Sequence, residues 1–159
     1  MDDLDLAIKL GRGCSLWLAE IGEPRTNDLR VVAIEVSAST QSEETIVGPA
    51  FAVRPNQNSR VFELIWYCYV GYSVRNESFF RSEDEDQSNG PLFRRRDTAF
   101  LRYIAATTFA TDDYPGTMVH WSLYTEWHCV DVVSVDPPEI RELPDDEARD
   151  WIARLNAQG

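Results

Sequence analysis

The chain has 159 residues, of which 43% are hydrophobic, so it is long enough to bury a core within one domain. Its formal net charge of −12, from 27 acidic and 15 basic residues, argues against a nucleic-acid-binding protein, which would need clustered cations to neutralise phosphates. The longest apolar run, residues 64–72, is about half the ~20 residues that span a bilayer, so we expect no membrane segment.

The cysteines are few and irregularly spaced. Cys14, Cys68 and Cys129 are an odd number and have no Cys-x-x-Cys spacing, which is typical of reduced, mostly buried thiols. The first ten residues carry no basic leader of the secretory kind. We therefore expect one globular domain over residues 1–159, located in the cytoplasm.

The N-terminal third of the chain predicts mainly strands. Residues 3–11 alternate apolar and polar positions as a strand does, but Asp3 could equally cap a short helix that stops at Gly11, so both alternatives stay open. Residues 14–21 and 29–38 are rich in apolar and β-branched side chains. The turn-rich segment between them predicts that they form an antiparallel pair.

The next segments are a polar stretch and a strand that contains proline. Residues 39–45 predict a polar loop, and residues 46–53 predict a short strand. Because Pro49 has no N–H to donate to a ladder, that strand should lie at a sheet edge or carry a bulge.

Residues 61–79 form the most apolar part of the sequence and predict a central strand covered on both faces. A polar block interrupts this run before Phe79. We expect the strand to leave the core near Gly71 and to deliver Arg75, Asn76 and Glu77 to a solvated rim.

An acidic segment and a helix follow. Residues 81–92 lack periodicity and predict a mobile acidic surface loop. Residues 97–110 predict a helix that covers one face of the sheet, with Asp97 as its N-cap. Its apolar positions have helical spacing: Phe100, Leu101, Ile104, Ala105 and Thr108.

The C-terminal part predicts more strand and then a helix. Residues 118–135 would extend about 60 Å as one strand, so the strand must bend or break, and a change in alternation near His128 predicts a β-bulge or a new partner strand. Residues 137–140 should end the strand region. After Pro144, acidic residues begin a helix that presents a docking stripe of Ala148, Trp151, Ile152 and Leu155.

These elements together predict an α+β fold. We expect a bent antiparallel β-sheet, curled toward a half-barrel, with one mid-chain helix and one C-terminal helix packed on it.

Catalytic and metal chemistry find little support in the sequence. His120 and His128 would lie about 26 Å apart on a straight strand, so they and Glu126 should not share a metal ion. No serine stands in a Gly-x-Ser-x-Gly motif, and residues 11–15 lack the pattern of a phosphate-binding loop. We expect no metal, no cofactor and no catalytic residue.

Two groups of residues are candidates for binding. A small-molecule pocket backed by aromatic residues would use six polar side chains: Arg75, Asn76, Glu77, Tyr124, Glu126 and His128. The alternative is that these residues form a solvated strand rim. The basic cluster Arg94–Arg96 either neutralises the neighbouring acids or clamps an anion, and the sequence leaves this open.

The composition, small and acidic with 5 Trp and 6 Tyr, is similar to that of bacterial immunity proteins that neutralise toxins. This resemblance rests on no motif and implies a non-enzymatic module that binds a basic protein partner. The alternative function is a small-molecule-binding or enzymatic domain that uses the pocket residues named above. A homodimer built on an edge strand is a further possibility.

Overall fold

The computed structural model of the protein describes residues 10, 14–79 and 90–158, without the side chains of residues 40, 41 and 158. The predicted segment 3–11 lies outside the described residues except for Leu10, which is buried. Most of the predicted acidic loop 81–92 also lies outside them. Its last residue, Leu92, is the buried first residue of a strand.

The strands form two antiparallel sheets. Sheet 1 contains β1 (Ser15–Arg25), β2 (Asp28–Thr45), β3 (Gly48–Arg54), β4 (Val61–Tyr67) and β9 (Glu139–Glu142). Sheet 2 contains β5 (Gly71–Asn76), β6 (Leu92–Arg95), β7 (Val119–Tyr124) and β8 (His128–Ser134). The helices are α1 (Ala99–Thr107) and α2 (Asp145–Gln158), and a 3-10 turn covers Glu77–Phe79.

The strand order is β1-β2-β4-β9 in sheet 1, where β3 pairs with the outer part of β2, and β5-β8-β7-β6 in sheet 2. The two sheets pack face to face around one core, to which sheet 1 contributes Val31, Leu64 and Trp66 and sheet 2 contributes Leu123 and Val130. The α+β class is confirmed, and the strands form two sheets that do not close into a barrel.

Helix α2 covers the outer face of sheet 1. Along β2, Val31 faces the core between the sheets while its neighbour Val32 packs beneath α2, so this strand is apolar on both faces. The predicted stripe of α2 is confirmed, since Ala148 and Ile152 are buried against Val32 and Trp151 and Leu155 pack beside them.

The apolar run 61–79 is two strands in different sheets, which corrects the prediction of one strand. Its first part, β4, is central and covered on both faces as predicted. The chain leaves sheet 1 at Cys68, whose φ of +51° breaks the extended backbone, and the N–H of Val70 already bonds to Val133 of sheet 2. The strand therefore leaves the first sheet before Gly71.

The predicted polar loop 39–45 is wrong, because β2 continues to Thr45. Its residues pair with β3 through a register that includes Glu43 with Ala50 and Thr45 with Gly48. The ladder hydrogen bonds extend the strand although few side chains there are buried. Pro49 does lie in a strand whose partner, among the described residues, is β2 alone, so the predicted edge position is confirmed.

Residues 118–135 break as predicted, but into a hairpin. β7 and β8 pair with each other through a register in which Tyr124 faces Cys129, and a three-residue loop joins them. The hydroxyl of Thr125 closes this loop by accepting the N–H of His128 at 3.1 Å and donating to the carbonyl of the same residue at 2.8 Å. The strand region also continues past residues 137–140, because β9 pairs with β4.

Helix α1 covers the outer face of sheet 2, as predicted, but its N-cap is Thr98. The Oγ1 atom of Thr98 accepts the N–H of Leu101 at 3.1 Å, while Asp97 adopts a φ of +50° just before the helix. Ile104 is the one fully buried residue of the helix and packs against Gly71, where a Cβ atom would lie 2.6 Å from its Cδ1.

None of the helices in the described part of the chain is both long enough and apolar enough to cross a membrane.

Candidate functional site

A cluster of polar side chains is buried on the outer face of sheet 2. Its centre is the carboxylate of Asp131 on β8, which is fully buried. One oxygen accepts hydrogen bonds from Ser122 Oγ at 2.7 Å and from His120 Nε2 at 2.8 Å. The other accepts from Arg75 Nε at 3.1 Å and Nη2 at 2.5 Å. Four hydrogen bonds therefore satisfy a charge that would otherwise be costly to bury.

Helix α1 closes this cluster from above. Thr98, its N-cap, lies 2.6 Å from His120 Nδ1, and the ring of Phe100 contacts the imidazole edge to face at 5.3 Å. Thr98, His120 and Ser122 are all buried. The cap of the helix and the polar cluster are thus one connected hydrogen-bond network.

Ser122, His120 and Asp131 are the residue types of a nucleophilic triad, but they are not arranged as one. In a triad the carboxylate and the serine use different nitrogens of the imidazole. Here Asp131 and Ser122, the latter at 3.3 Å, both approach Nε2, and the Ser122 hydroxyl bonds to the carboxylate. All three are closed to solvent, so the cluster stabilises the fold and holds a charge in place.

The electrostatics of the cluster favour an ionised carboxylate. Burial alone would raise the pKa of Asp131, but hydrogen bonds from His120 and Ser122 together with the positive charge of Arg75 hold the pKa below its ordinary value. Cys129, on the same face, behaves in the opposite way. Its burial raises the pKa of the thiol to about 11, which is unsuited to a nucleophile.

The structure brings the six sequence-predicted site residues to one end of sheet 2. Asn76 pairs with His128, and Arg75 and Tyr124 flank Cys129. They do not line a single face, however. The register places Arg75 and Tyr124 on the outer face and Asn76 and His128 on the inner one, since paired residues share a face and neighbours alternate.

The remaining two predicted residues lie beside the β7–β8 loop. The N–H of Glu77 bonds to the carbonyl of Trp127 at 3.1 Å, and the N–H of Glu126 bonds to Leu16 of sheet 1 at 2.9 Å. The loop therefore ties both sheets together. On the inner face, Nδ1 of His128 is buried and has no hydrogen-bond partner among the described residues, for which we have no physical account.

Two exposed aromatic residues at this end of the sheet escaped the sequence reasoning. Trp127, at the tip of the β7–β8 loop, is 59% exposed, and Phe79, in the 3-10 turn that follows β5, is 87% exposed. The signal that could have found Trp127 is the tryptophan itself, set among polar residues in a short strand connection.

No group of three metal-ligating side chains occurs within the part of the chain that the structure describes. The straight-strand distance between His120 and His128 does not apply, because the two lie on a hairpin. The register nevertheless separates them, with His120 on the outer face of sheet 2 and His128 on the inner face.

The basic cluster Arg94–Arg96 lies at the other edge of sheet 2. Arg95 is buried beside His120 in the pairing of β6 with β7, whereas Arg94 and Arg96 are exposed. The three arginines line a recess of about 270 Å³ together with Leu101 and Met118. Whether it clamps an anion stays an open hypothesis.

Comparisons with protein-family models, curated proteins and solved structures found no match to this chain.

Proposed function

We propose that the protein is a non-enzymatic binding module that engages a basic protein partner through one end of sheet 2. This surface, termed the Trp127 surface, consists of Arg75, Glu77, Phe79, Tyr124, Glu126 and Trp127. The observation that carries the proposal is the exposure of Trp127 and Phe79 on adjacent segments, which the Glu77–Trp127 hydrogen bond holds together.

The residue types fit the energetics of protein interfaces. Tryptophan and arginine are enriched among the few residues that carry most of the binding energy, because they bury a large area and lose little conformational freedom. Arg75 suits this role because its side chain is 43% exposed while Asp131 holds two of its nitrogens. Its position is thus fixed before a partner arrives, which reduces the entropic cost of binding.

The charge of the chain favours a basic partner. Each molecule carries a formal −12, and Glu77 and Glu126 contribute carboxylates at the Trp127 surface itself. Such a field accelerates encounter with a cationic surface and repels anionic ones. We also propose a cytoplasmic location, since Cys68 is an exposed free thiol of the kind that a reducing compartment maintains.

The small-molecule alternative has less support. It needs Arg75, Glu77, Glu126 and His128 to converge on one aromatic-lined concavity. Arg75 and His128 instead lie on opposite faces of sheet 2.

The test compares Trp127→Ala with Phe109→Ala, an exposed aromatic variant located beyond helix α1. Both variants and the wild type are used as bait in native lysate at low and high salt, and retained proteins are identified by mass spectrometry. We expect a basic protein that Phe109→Ala retains and Trp127→Ala loses. Loss of a central anchor should weaken binding to the purified partner at least about 30-fold, equivalent to ~2 kcal/mol.

The electrostatic part is tested separately with that purified partner. Glu77→Gln combined with Glu126→Gln should slow association at low salt and leave dissociation nearly unchanged, because rim charges act mainly on encounter. Equal retention by the two aromatic variants would refute the Trp127 surface. An unchanged association rate in the double glutamine variant would refute electrostatic steering by Glu77 and Glu126 but not the aromatic part of the proposal.

A further inference from the structure

A long hairpin projects from sheet 1 and is not used by the Trp127 surface. Its two strands are Ser37–Thr45 of β2 and all of β3, and we call it the β2–β3 hairpin. Beyond the register shift between Ala38 and Ser42, its side chains are mostly exposed. Ladder hydrogen bonds rather than core packing hold this part of the sheet.

The tip of the hairpin is apolar. Ile46 and Val47 form the two-residue turn and are 106% and 96% exposed, and Gly48, which follows the turn, has a φ of +114° that favours glycine. Turns usually carry small polar residues. Two branched aliphatic side chains at this position bury no apolar surface within the molecule itself. They form an exposed apolar knob.

The base of the same hairpin carries a recess. It has a volume of about 320 Å³ and is lined by Trp17, Arg54, Pro55, Leu155 and Asn156. Most of its lining is carbon from the indole, the proline ring and the leucine. One molecule therefore presents an apolar knob at one end of β3 and an apolar recess at the other.

The free edge of β3 joins these two features. Among the described residues β3 pairs with β2 only, so its other edge presents backbone groups that can continue the sheet. Pro49 lacks one donor, but the remaining positions keep theirs. Phe51, at the middle of the strand, is exposed.

We propose that β3 pairs antiparallel with β3 of a second copy, with the two-fold axis at Phe51. In this register Gly48 lies opposite Arg54 of the second copy, and Val47 lies opposite its Pro55, which lines the recess. The knob of each molecule thus enters the recess of the other, and both contacts are made twice, as a two-fold interface requires.

Charge complementarity supports a second copy as the occupant. The acids of the hairpin, Glu43 and Glu44, lie near its tip, whereas Arg54 lies at its base. Glu43 and Arg54 already approach each other at 3.4 Å within one molecule, and both side chains are more than half exposed. In the proposed register Arg54 shares a face with Gly48 and Ala50 of the second copy, and Glu43 of that copy, which pairs with Ala50, lies on the same face. Each Arg54 therefore gains a second acidic neighbour on its own face.

A membrane is a weaker candidate for the apolar tip. Glu43 and Glu44 flank it, and a chain of charge −12 is repelled by anionic lipid. Since two short hairpins bury less area than the ~1,200 Å² of a standard stable interface, we expect a reversible dimer with a dissociation constant on the order of micromolar.

The test is sedimentation equilibrium of the full chain over two decades of concentration. We expect a monomer–dimer equilibrium that Phe51→Arg weakens at least about tenfold, because two like charges then meet at the axis. Phe109→Arg, at another exposed phenylalanine, should leave it unchanged. A wild-type protein that stays monomeric throughout, or a dimer equally stable in both variants, would overturn the proposal.

The register is tested by cross-linking, because residue 51 is the position that lies opposite its own copy. In a Cys68→Ser background, Phe51→Cys should form a disulfide-linked dimer on mild oxidation, whereas Val53→Cys, about 13 Å from its own copy at ~3.3 Å per residue, should not. Cross-linking through Val53→Cys but not through Phe51→Cys would refute the proposed antiparallel register. Flotation with uncharged phosphatidylcholine vesicles checks the other occupant: binding by monomeric wild type that Val47→Asp abolishes would assign the tip to a membrane and overturn the dimer.

Discussion

Replacing Asp131 with asparagine should destabilise the protein more than any other single isosteric change to the polar cluster. The substitution keeps the shape of the side chain but removes its charge. It also turns an amide NH2 toward one of the donors that now bond to the carboxylate, namely Arg75, His120 and Ser122.

The size of the destabilisation depends on how deeply each member of the Asp131–Arg75 ion pair is buried. Breaking a buried ion pair costs about 3–5 kcal/mol, chiefly because a charge is left unpaired away from water. Arg75 is 43% exposed and can turn to solvent, so the cost should fall at the lower end, about 3 kcal/mol. Ser122→Ala removes one hydrogen bond to the same carboxylate and should cost about 1.5 kcal/mol.

Urea unfolding at neutral pH, followed by tryptophan fluorescence and circular dichroism, measures both values. The midpoint of thermal unfolding for Asp131→Asn should fall by roughly 6–12 °C for a chain of this size. Asp113→Asn, an exposed change in a turn, should stay within about 0.5 kcal/mol of wild type. An Asp131→Asn protein as stable as wild type, or one more stable than Ser122→Ala, would refute the conclusion that Asp131 is ionised and stabilised by four hydrogen bonds.

Three further expectations follow from the same geometry. Because the folded-state pKa of Asp131 is lowered, the ionised carboxylate contributes to stability above its ordinary pKa. The difference in unfolding free energy between wild type and Asp131→Asn should be constant above about pH 5 and shrink as pH falls below ~4. Unfolding of both proteins over an acid titration checks this, and a difference that persists to the lowest pH contradicts it. Gly71→Ala should lower the unfolding free energy by about 1–3 kcal/mol, because the new Cβ atom pushes Ile104 outward. Adding Ile104→Val removes the Cδ1 atom that the Cβ meets and should recover part of this stability in urea unfolding. If no stability is recovered, the Cβ–Cδ1 contact is not the cause of the loss. With a disulfide reagent at neutral pH, exposed Cys68 should react first, while buried Cys129, with its pKa raised to about 11, should react only when the protein unfolds; early labelling of Cys129 would count against its burial.

The parts of the fold that the sequence predicted correctly are those whose signal is local. The stripe of α2 depends on helical spacing alone, and the β1–β2 pair depends on two β-branched runs joined by a turn. The N-cap of α1 was missed by one residue because Asp97 and Thr98 are both good caps. The choice of Thr98 depends on His120, a neighbour from another strand.

The parts that could not be predicted depend on which strand pairs with which. Residues 61–79 are continuous in composition, and nothing local marks Cys68 as the point where the chain changes sheets. The β7–β8 hairpin lacks the Gly or Asn that usually signals a turn, since the side chain of Thr125 closes it instead. The six candidate residues lie at one end of sheet 2, but their division between two faces follows from the register alone.

The polar block after Tyr72 now has a physical explanation that joins the fold to the proposed surface. An apolar β5 would leave Asp131, in the neighbouring strand, without a counter-charge, so the sequence must supply Arg75 where the chain crosses into sheet 2. The buried carboxylate then fixes an arginine at the rim, close to Trp127. Loss of Asp131 should therefore weaken partner binding through Arg75 as well as stability, and the two effects separate because Ser122→Ala lowers stability while leaving Arg75 held.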